Sequence, residues 1–142
     1  PELVPTMLEA LRQLGAERAL VVHGLDGLCD LSIEAPSRLG WWDGQVARVE
    51  EFDPQSIGVP RSSLDALRVR SPAESAAAIH AILAGQRGPG RDVVELNAAG
   101  ALWVAGLASD WQEGRARAAS AIESGAAAAA LRAWATVSHG SG

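Results

Sequence analysis

A chain of 142 residues that is 48% hydrophobic has the length and the apolar material for one domain with its own core. Its net charge is −5, and its twelve basic residues, all arginine, are scattered; such a surface repels a phosphate backbone and argues against a nucleic-acid partner. No run approaches the ~18 apolar residues of a membrane helix, no secretory leader pattern follows Pro1, and the lone Cys29 cannot form an internal disulfide, so a cytoplasmic setting away from membranes is expected.

Val4, Met7, Leu8, Leu11 and Leu14 recur at helical spacing and predict an amphipathic helix over 3–14, stopped by Gly15. Ala19 to Val22 is a short continuous apolar run, the pattern of a buried strand in a parallel sheet. His23 and Gly24 end it, and Leu25 to Asp30 forms a loop rich in glycine and carboxylates. Asp43-Gly44 between Ser37–Trp42 and Gln45–Phe52 predicts a hairpin with a two-residue turn. Asp53-Pro54 and Gly58-Val59-Pro60 break the chain.

The remainder reads as helical. Ser71-Pro72-Ala73-Glu74 is a capping box opening a helix to about Ala84, closed by Gly85. Gly88-Pro89-Gly90 reads as a linker, and residues 91–105 as a helix apolar on nearly every face, hence buried. Ser109 with Gln112 predicts a second capping box and a helix ending near Gly125. A last, alanine-rich helix carries Leu131, Trp134 and Val137, with fraying expected from Ser138 to Gly142. The expected fold is α/β over 1–142: a parallel-type strand plus an antiparallel hairpin, packed with several helices. That sheet is thin for so much helical surface, which predicts further strands from another segment or chain.

The loop His23 to Asp30 leaves the C-terminal end of a predicted strand, where ligands bind in open α/β sheets. Asp26 and Asp30 are oxygen donors of the kind Mg²⁺ prefers, although Asp and Gly are equally ordinary turn formers. His23 suits a base, a ligand or simple packing; Cys29 suits a nucleophile or, more in keeping with its lack of a local His/Asp signature, a small buried apolar residue. Asn97, polar within an apolar helix, needs hydrogen-bond partners and is expected to tie down a neighbouring loop, with substrate contact as the lesser alternative. His80 is expected near solvent and His139 in a tail. The five tryptophans are dispersed and read as packing. Phosphate-loop, nucleophile-elbow, zinc-protease and Cys-X-X-Cys motifs are absent from the sequence.

Several stretches carry a resemblance. Pro1 to Val4 and Leu11 to Gly15 lead into Arg18-Ala19-Leu20-Val21-Val22-His23-Gly24, then Asp26-Gly27-Leu28-Cys29-Asp30-Leu31-Ser32. Gly88 to Ala99, Gly106, Glu113-Gly114 and Ala121 to Ala126 follow in order. Over nearly its whole length the chain resembles the C-terminal portion of the anthranilate phosphoribosyltransferase family of tryptophan biosynthesis. The resemblance implies transfer of phosphoribose from phosphoribosyl pyrophosphate to anthranilate, with Mg²⁺. It also implies a homodimer paired through an N-terminal helical domain. That domain and the glycine-rich donor loop would lie in an upstream half or partner chain not included in these 142 residues. The family's Mg²⁺-binding Asp-Glu pair falls on Cys29 and Asp30, a soft thiol and a shortened carboxylate, so a weakened metal site is implied, with Asp26 as a compensating ligand and His23, Gly24 and Gly27 shaping the substrate loop. Two other functions stay open: a non-catalytic or regulatory domain with a decayed metal site, and a related transferase with another acceptor.

Overall fold

The computed structural model describes residues 1–140, the His139 side chain excepted. Helix α1 (Val4–Gln13) is followed by strands β1 (Ala19–Gly24), β2 (Ser37–Trp42) and β3 (Ala47–Phe52). Two single 3₁₀ turns (Pro54–Ile57 and Leu64–Leu67) occupy the stretch read from sequence as a break. Four helices complete the chain: α2 (Pro72–Leu83), α3 (Pro89–Val104), α4 (Trp111–Glu123) and α5 (Ala126–His139). The fold is mixed α/β, as expected.

The strands form an antiparallel meander in the order β1-β2-β3. β1 pairs β2 from Ala19↔Trp42 to Gly24↔Ser37, and β2 pairs β3 from Ser37↔Phe52 to Trp42↔Ala47. Among the described residues no strand lies on the outer edge of β1, so the predicted parallel pairing is not made within them. The apolar run in β1 has another cause, which is that both of its faces are covered. Ala19 and Val21 pack with Val4 and Leu8 of α1 on one side. Val22 joins Leu39, Phe52 and Leu96 of α3 on the other.

Close approaches fix these layers. A Cβ on Gly40 of β2 would lie 2.9 Å from Val4 Cγ1, so α1 rests directly on the strand. Only Val4 and Leu8 of the predicted apolar stripe are buried; Met7, Leu11 and Leu14 are exposed, because the contact is confined to one i, i+4 pair over a three-stranded sheet. A Cβ on Gly114 of α4 would meet the Cα of Ala99 at 2.8 Å, and this lets α3 and α4 touch backbone to backbone.

Several boundaries differ from expectation for local reasons. The hairpin loop spans Asp43 to Val46, with β3 beginning at Ala47 instead of Gln45. Gly44 alone takes a left-handed φ of 98°, while the Asp43 carboxylate accepts from the amides of Gln45 and Val46, each at 2.8 Å. Pro89 and Gly90 are the first residues of α3 and not a linker, because proline needs no amide partner at a helix start. α4 is capped by Asp110, which accepts from the Glu113 amide at 2.8 Å, one residue later than the predicted Ser109. Ser138 and His139 remain in α5, and residues 141–142 of the predicted frayed end lie outside the described residues.

Candidate functional site

The loop from His23 to Ser32 begins where β1 stops. His23 is half-buried in the sheet, opposite Arg38 on β2. Gly24 is buried, and a Cβ there would lie 2.5 Å from Asp26 Oδ1 and 3.1 Å from Leu28 Cβ. The chain therefore folds back over position 24 only because no side chain stands in the way. Gly27 supplies the left-handed residue of the turn, with φ 96°. The Gly24 amide donates to the Leu28 carbonyl at 2.8 Å, and the Leu25 amide donates to that of Pro36 at 2.9 Å.

Asp26, although exposed, ties the loop together through both carboxylate oxygens. One carboxylate oxygen accepts from the Leu28 amide at 3.1 Å, and the other accepts a short hydrogen bond from the Ser32 hydroxyl. Ser32 is fully buried. Its Oγ also accepts from the amides of Glu34 and Ala35, and its own amide donates to Ser37 Oγ at 3.1 Å. Sequence reasoning passed over Ser32 and Ser37. The signal was present in two serines flanking an otherwise apolar and turn-forming stretch, since a buried hydroxyl must find partners.

Asn97 of α3 fastens the next residue. Its Oδ1 accepts from the Leu31 amide at 2.9 Å, and its Nδ2 donates to the Leu31 carbonyl at 3.1 Å and to the Val93 carbonyl at 3.0 Å. The expected tie to a neighbouring loop is thus present. Leu31 and Ile33, on either side of Ser32, are among the most deeply buried side chains, so the loop is nailed down where it rejoins the core.

α3 is itself fixed by charge. Buried Arg91 donates to Glu95 at 2.5 Å, to Glu123 of α4 at 2.8 Å and to the Gly85 carbonyl. Arg115 reaches Glu95 at 3.6 Å and donates to the Ile57 carbonyl at 3.1 Å. The carboxylates Glu95 and Glu123 hold the Arg91 guanidinium above its ordinary value, and burial pushes the Asp92 carboxyl up against the opposing pull of Arg115. The prediction of a helix buried on nearly every face therefore needs correction. Its buried stripe includes this ion pair, while Val94 and Ala101 are exposed.

Cys29 and Asp30 stand outside this scaffold. Both are exposed, correcting the expectation of a buried Cys29, and the Cys29 thiol makes only a long 3.8 Å contact to Asp30 Oδ2. Among the described residues no group of three or more His, Cys, Asp or Glu side chains is placed to hold a metal ion. Mg²⁺ asks for several hard oxygen ligands. Asp26 is also exposed, but both of its carboxylate oxygens are engaged by the Leu28 amide and the Ser32 hydroxyl, so the loop offers one uncommitted carboxylate and one soft thiol, a donor set that does not by itself fit that ion. His80 is exposed, as expected, and the His139 side chain lies outside the described residues. No described helix is long and apolar enough to cross a membrane.

Residues 1–128 match the glycosyl transferase family, a/b domain. The anthranilate phosphoribosyltransferase of Moorella thermoacetica is 45% identical over 133 residues, covering 94% of this chain and 39% of that protein. Anthranilate phosphoribosyltransferase 2 of Streptomyces coelicolor is 47% identical over 137 residues, covering 96% and 41%. The crystal structure of anthranilate phosphoribosyltransferase (TrpD) from Thermus thermophilus superposes with a TM-score of 0.83 at 36% identity, over 94% of this chain and 39% of its own. The Saccharomyces cerevisiae enzyme in complex with PRPP and Mg shares the fold, with a TM-score of 0.78 at 22% identity over 92% and 37%. The chain thus spans about two fifths of the length of these relatives, and by the match over nearly all of its own length it belongs to the glycosyl transferase family, a/b domain.

Proposed function

We propose that this chain is the C-terminal part of an anthranilate phosphoribosyltransferase and works with an upstream half that binds the donor. The observation that carries the reading is 45% identity across 94% of this chain to a relative of which it spans 39%. The open outer edge of β1 supports it, since an upstream strand can add there.

In the proposed reaction the anthranilate amino nitrogen forms a bond to the sugar's anomeric carbon. The bond from that carbon to pyrophosphate breaks, pyrophosphate leaves with the electron pair, and the amine proton passes to solvent. Catalysis of this kind is mostly positioning and charge stabilisation. This chain's part is the pre-formed loop. Gly24 and Gly27 give it its path, Asp26 and Ser32 lock it, and His23 closes the strand beneath it. Asp30 is the exposed carboxylate not engaged in closing the loop, the one we assign to Mg²⁺ in the whole enzyme, with Cys29 beside it as a poor ligand. The whole enzyme is proposed to be a cytoplasmic homodimer paired through the helical domain upstream of this segment.

The test is complementation. The chain is produced with the upstream part of the Streptomyces coelicolor relative, and anthranilate consumption is followed with phosphoribosyl pyrophosphate present. Activity is expected with both parts and absent from either alone. Failure, where the relative's own C-terminal part succeeds, would remove the enzyme reading. Asp30→Ala should lower turnover and raise the Mg²⁺ requirement; identical kinetics across a Mg²⁺ titration would sink the Asp30 assignment. Cys29→Asp should lower the Mg²⁺ concentration needed. The thiol-plus-carboxylate donor set also favours a second reading, a non-catalytic partner domain, and that reading gains if only Cys29→Asp gives a complementing chain.

A further inference from the structure

At the opposite end of β1 from this loop, a cleft of about 190 Å³ opens between the sheet and the corner where α3 gives way to α4. It reaches Leu20 of β1, is walled by Trp41, Trp103 and Trp111, and is lined at its exposed rim by Glu50 and Asp110. The gap has a cause in the sequence. Strand alternation puts Arg48 and Glu50 of β3 on the face that bears Phe52, so polar residues stand where core side chains would otherwise fill the layer.

The walls are set in place. Trp41 and Trp103 meet edge to face, with centroids 5.6 Å apart at 82°, and Trp111 stacks on Phe52 at 4.7 Å. Trp41 donates its indole N–H to Glu50 at 3.1 Å, which occupies that donor and anchors the carboxylate beside the ring. Asp110 is held by capping α4 through the Glu113 amide. The chain's own cations already settle on these rings. Arg18 lies 4.1 Å from the Trp103 centroid and Arg48 lies 4.9 Å from that of Trp41, and neither arginine lines the cleft. The Arg18 Nε is buried without a hydrogen-bond partner, so the aromatic face is what receives that guanidinium.

Three indoles with two carboxylates form a lining that favours positive charge on an apolar body. An anion would meet both carboxylates, and a neutral guest would desolvate them without return. The volume is below the ~300–1,000 Å³ of sites for larger ligands, so the guest is small. We propose that this cleft binds a small organic cation, a quaternary ammonium or protonated amine on a compact apolar body.

The test uses the full, isotope-labelled chain and its five indole N–H resonances, titrated with choline and with its neutral carbon isostere, dimethylbutanol. Choline should shift the indole signals of Trp41, Trp103 and Trp111 along one saturable curve. Those of Trp42, bonded to the Ala16 carbonyl on the other face of the sheet, and of exposed Trp134 should stay put. Glu50→Gln and Asp110→Asn keep shape and cap, and each should weaken binding about two- to tenfold. The proposal fails if no saturable shift is seen, if all five indoles move alike, if the neutral isostere binds equally well, or if both substitutions leave the curve unchanged.

Discussion

Asn97 reaches from α3 to hold both backbone groups of Leu31, and so joins the candidate loop to the helix layer through one side chain. Asn97→Ala removes both bonds and leaves the Leu31 amide without its partner beside a fully packed core. An unsatisfied buried amide costs about 1–3 kcal/mol, and the variant should lose stability in that range in urea unfolding with an unchanged slope. The amides of Leu28 and Leu31 should exchange faster with solvent, since the clamp is what closes the loop against the core. A variant as stable as the parent, with unaltered exchange, would show the clamp to be incidental. Asn97 was legible in the sequence because a lone amide in an apolar helix must be paired. Ser32 and Asp26 were legible only in part. Their carboxylate-to-hydroxyl bond spans six residues of irregular chain, where no periodicity reports which way a side chain turns. Asp26 therefore suited a metal ligand from composition, whereas the structure commits its carboxylate to the loop's own closure.

At the scale of elements, the helix positions, their capping residues and the antiparallel β2–β3 hairpin carried across well, and the parallel pairing expected of β1 did not. The continuous apolar run in β1 reports two covered faces, α1 on one and α3 on the other, and holds no information on the direction of its neighbour. Capping was legible to within a residue. The predicted Ser109–Gln112 box is a real cap displaced by one position, to Asp110 and Glu113. There Glu113 accepts from the Ser109 amide and hydroxyl, each at 2.8 Å, and from Arg117 at 2.7 Å. The Ser109 amide, its hydroxyl and then the Arg117 guanidinium bring the Glu113 carboxyl down from its ordinary 4.5 to about 2. A carboxyl with a lowered folded value stabilises the fold above its unfolded value and loses that contribution as acid protonates it. Stability from this group is therefore complete above about pH 4.5 and declines as pH falls toward about 2. Glu9, held down to about 2 by Arg12 and Gln13, declines over the same window, so the two must be separated by mutation. Glu113→Gln should lower the Tm at neutral pH and flatten its fall across that window. An acid limb as steep as the parent's would assign the slope elsewhere.

Taken whole, the molecule is three layers thick, with α1 on one face of the sheet and α3 with α4 on the other, but only three strands wide. β3 runs along one edge with exposed Arg48, Glu50 and Glu51, charges that discourage further pairing there. β1 is the other edge and carries no such guard: Ala19 to Val22 are buried or half-buried and uncharged. Its alternate amides, those directed away from β2, have no strand partner among the described residues. A strand this well covered on both faces and open along one edge is suited to the interior of a wider sheet, and in the proposed whole enzyme an upstream strand pairs there. Hydrogen exchange separates the two edges. In the chain alone, the outward amides of β1 should exchange far faster than those facing β2. Adding the upstream half should slow the outward set selectively and leave the outward amides of β3 as they were. Protection of β1 already complete in the isolated chain, measured at low concentration to exclude self-pairing, would mean that the edge is closed without a partner strand, and β1 would then give no support to an upstream half.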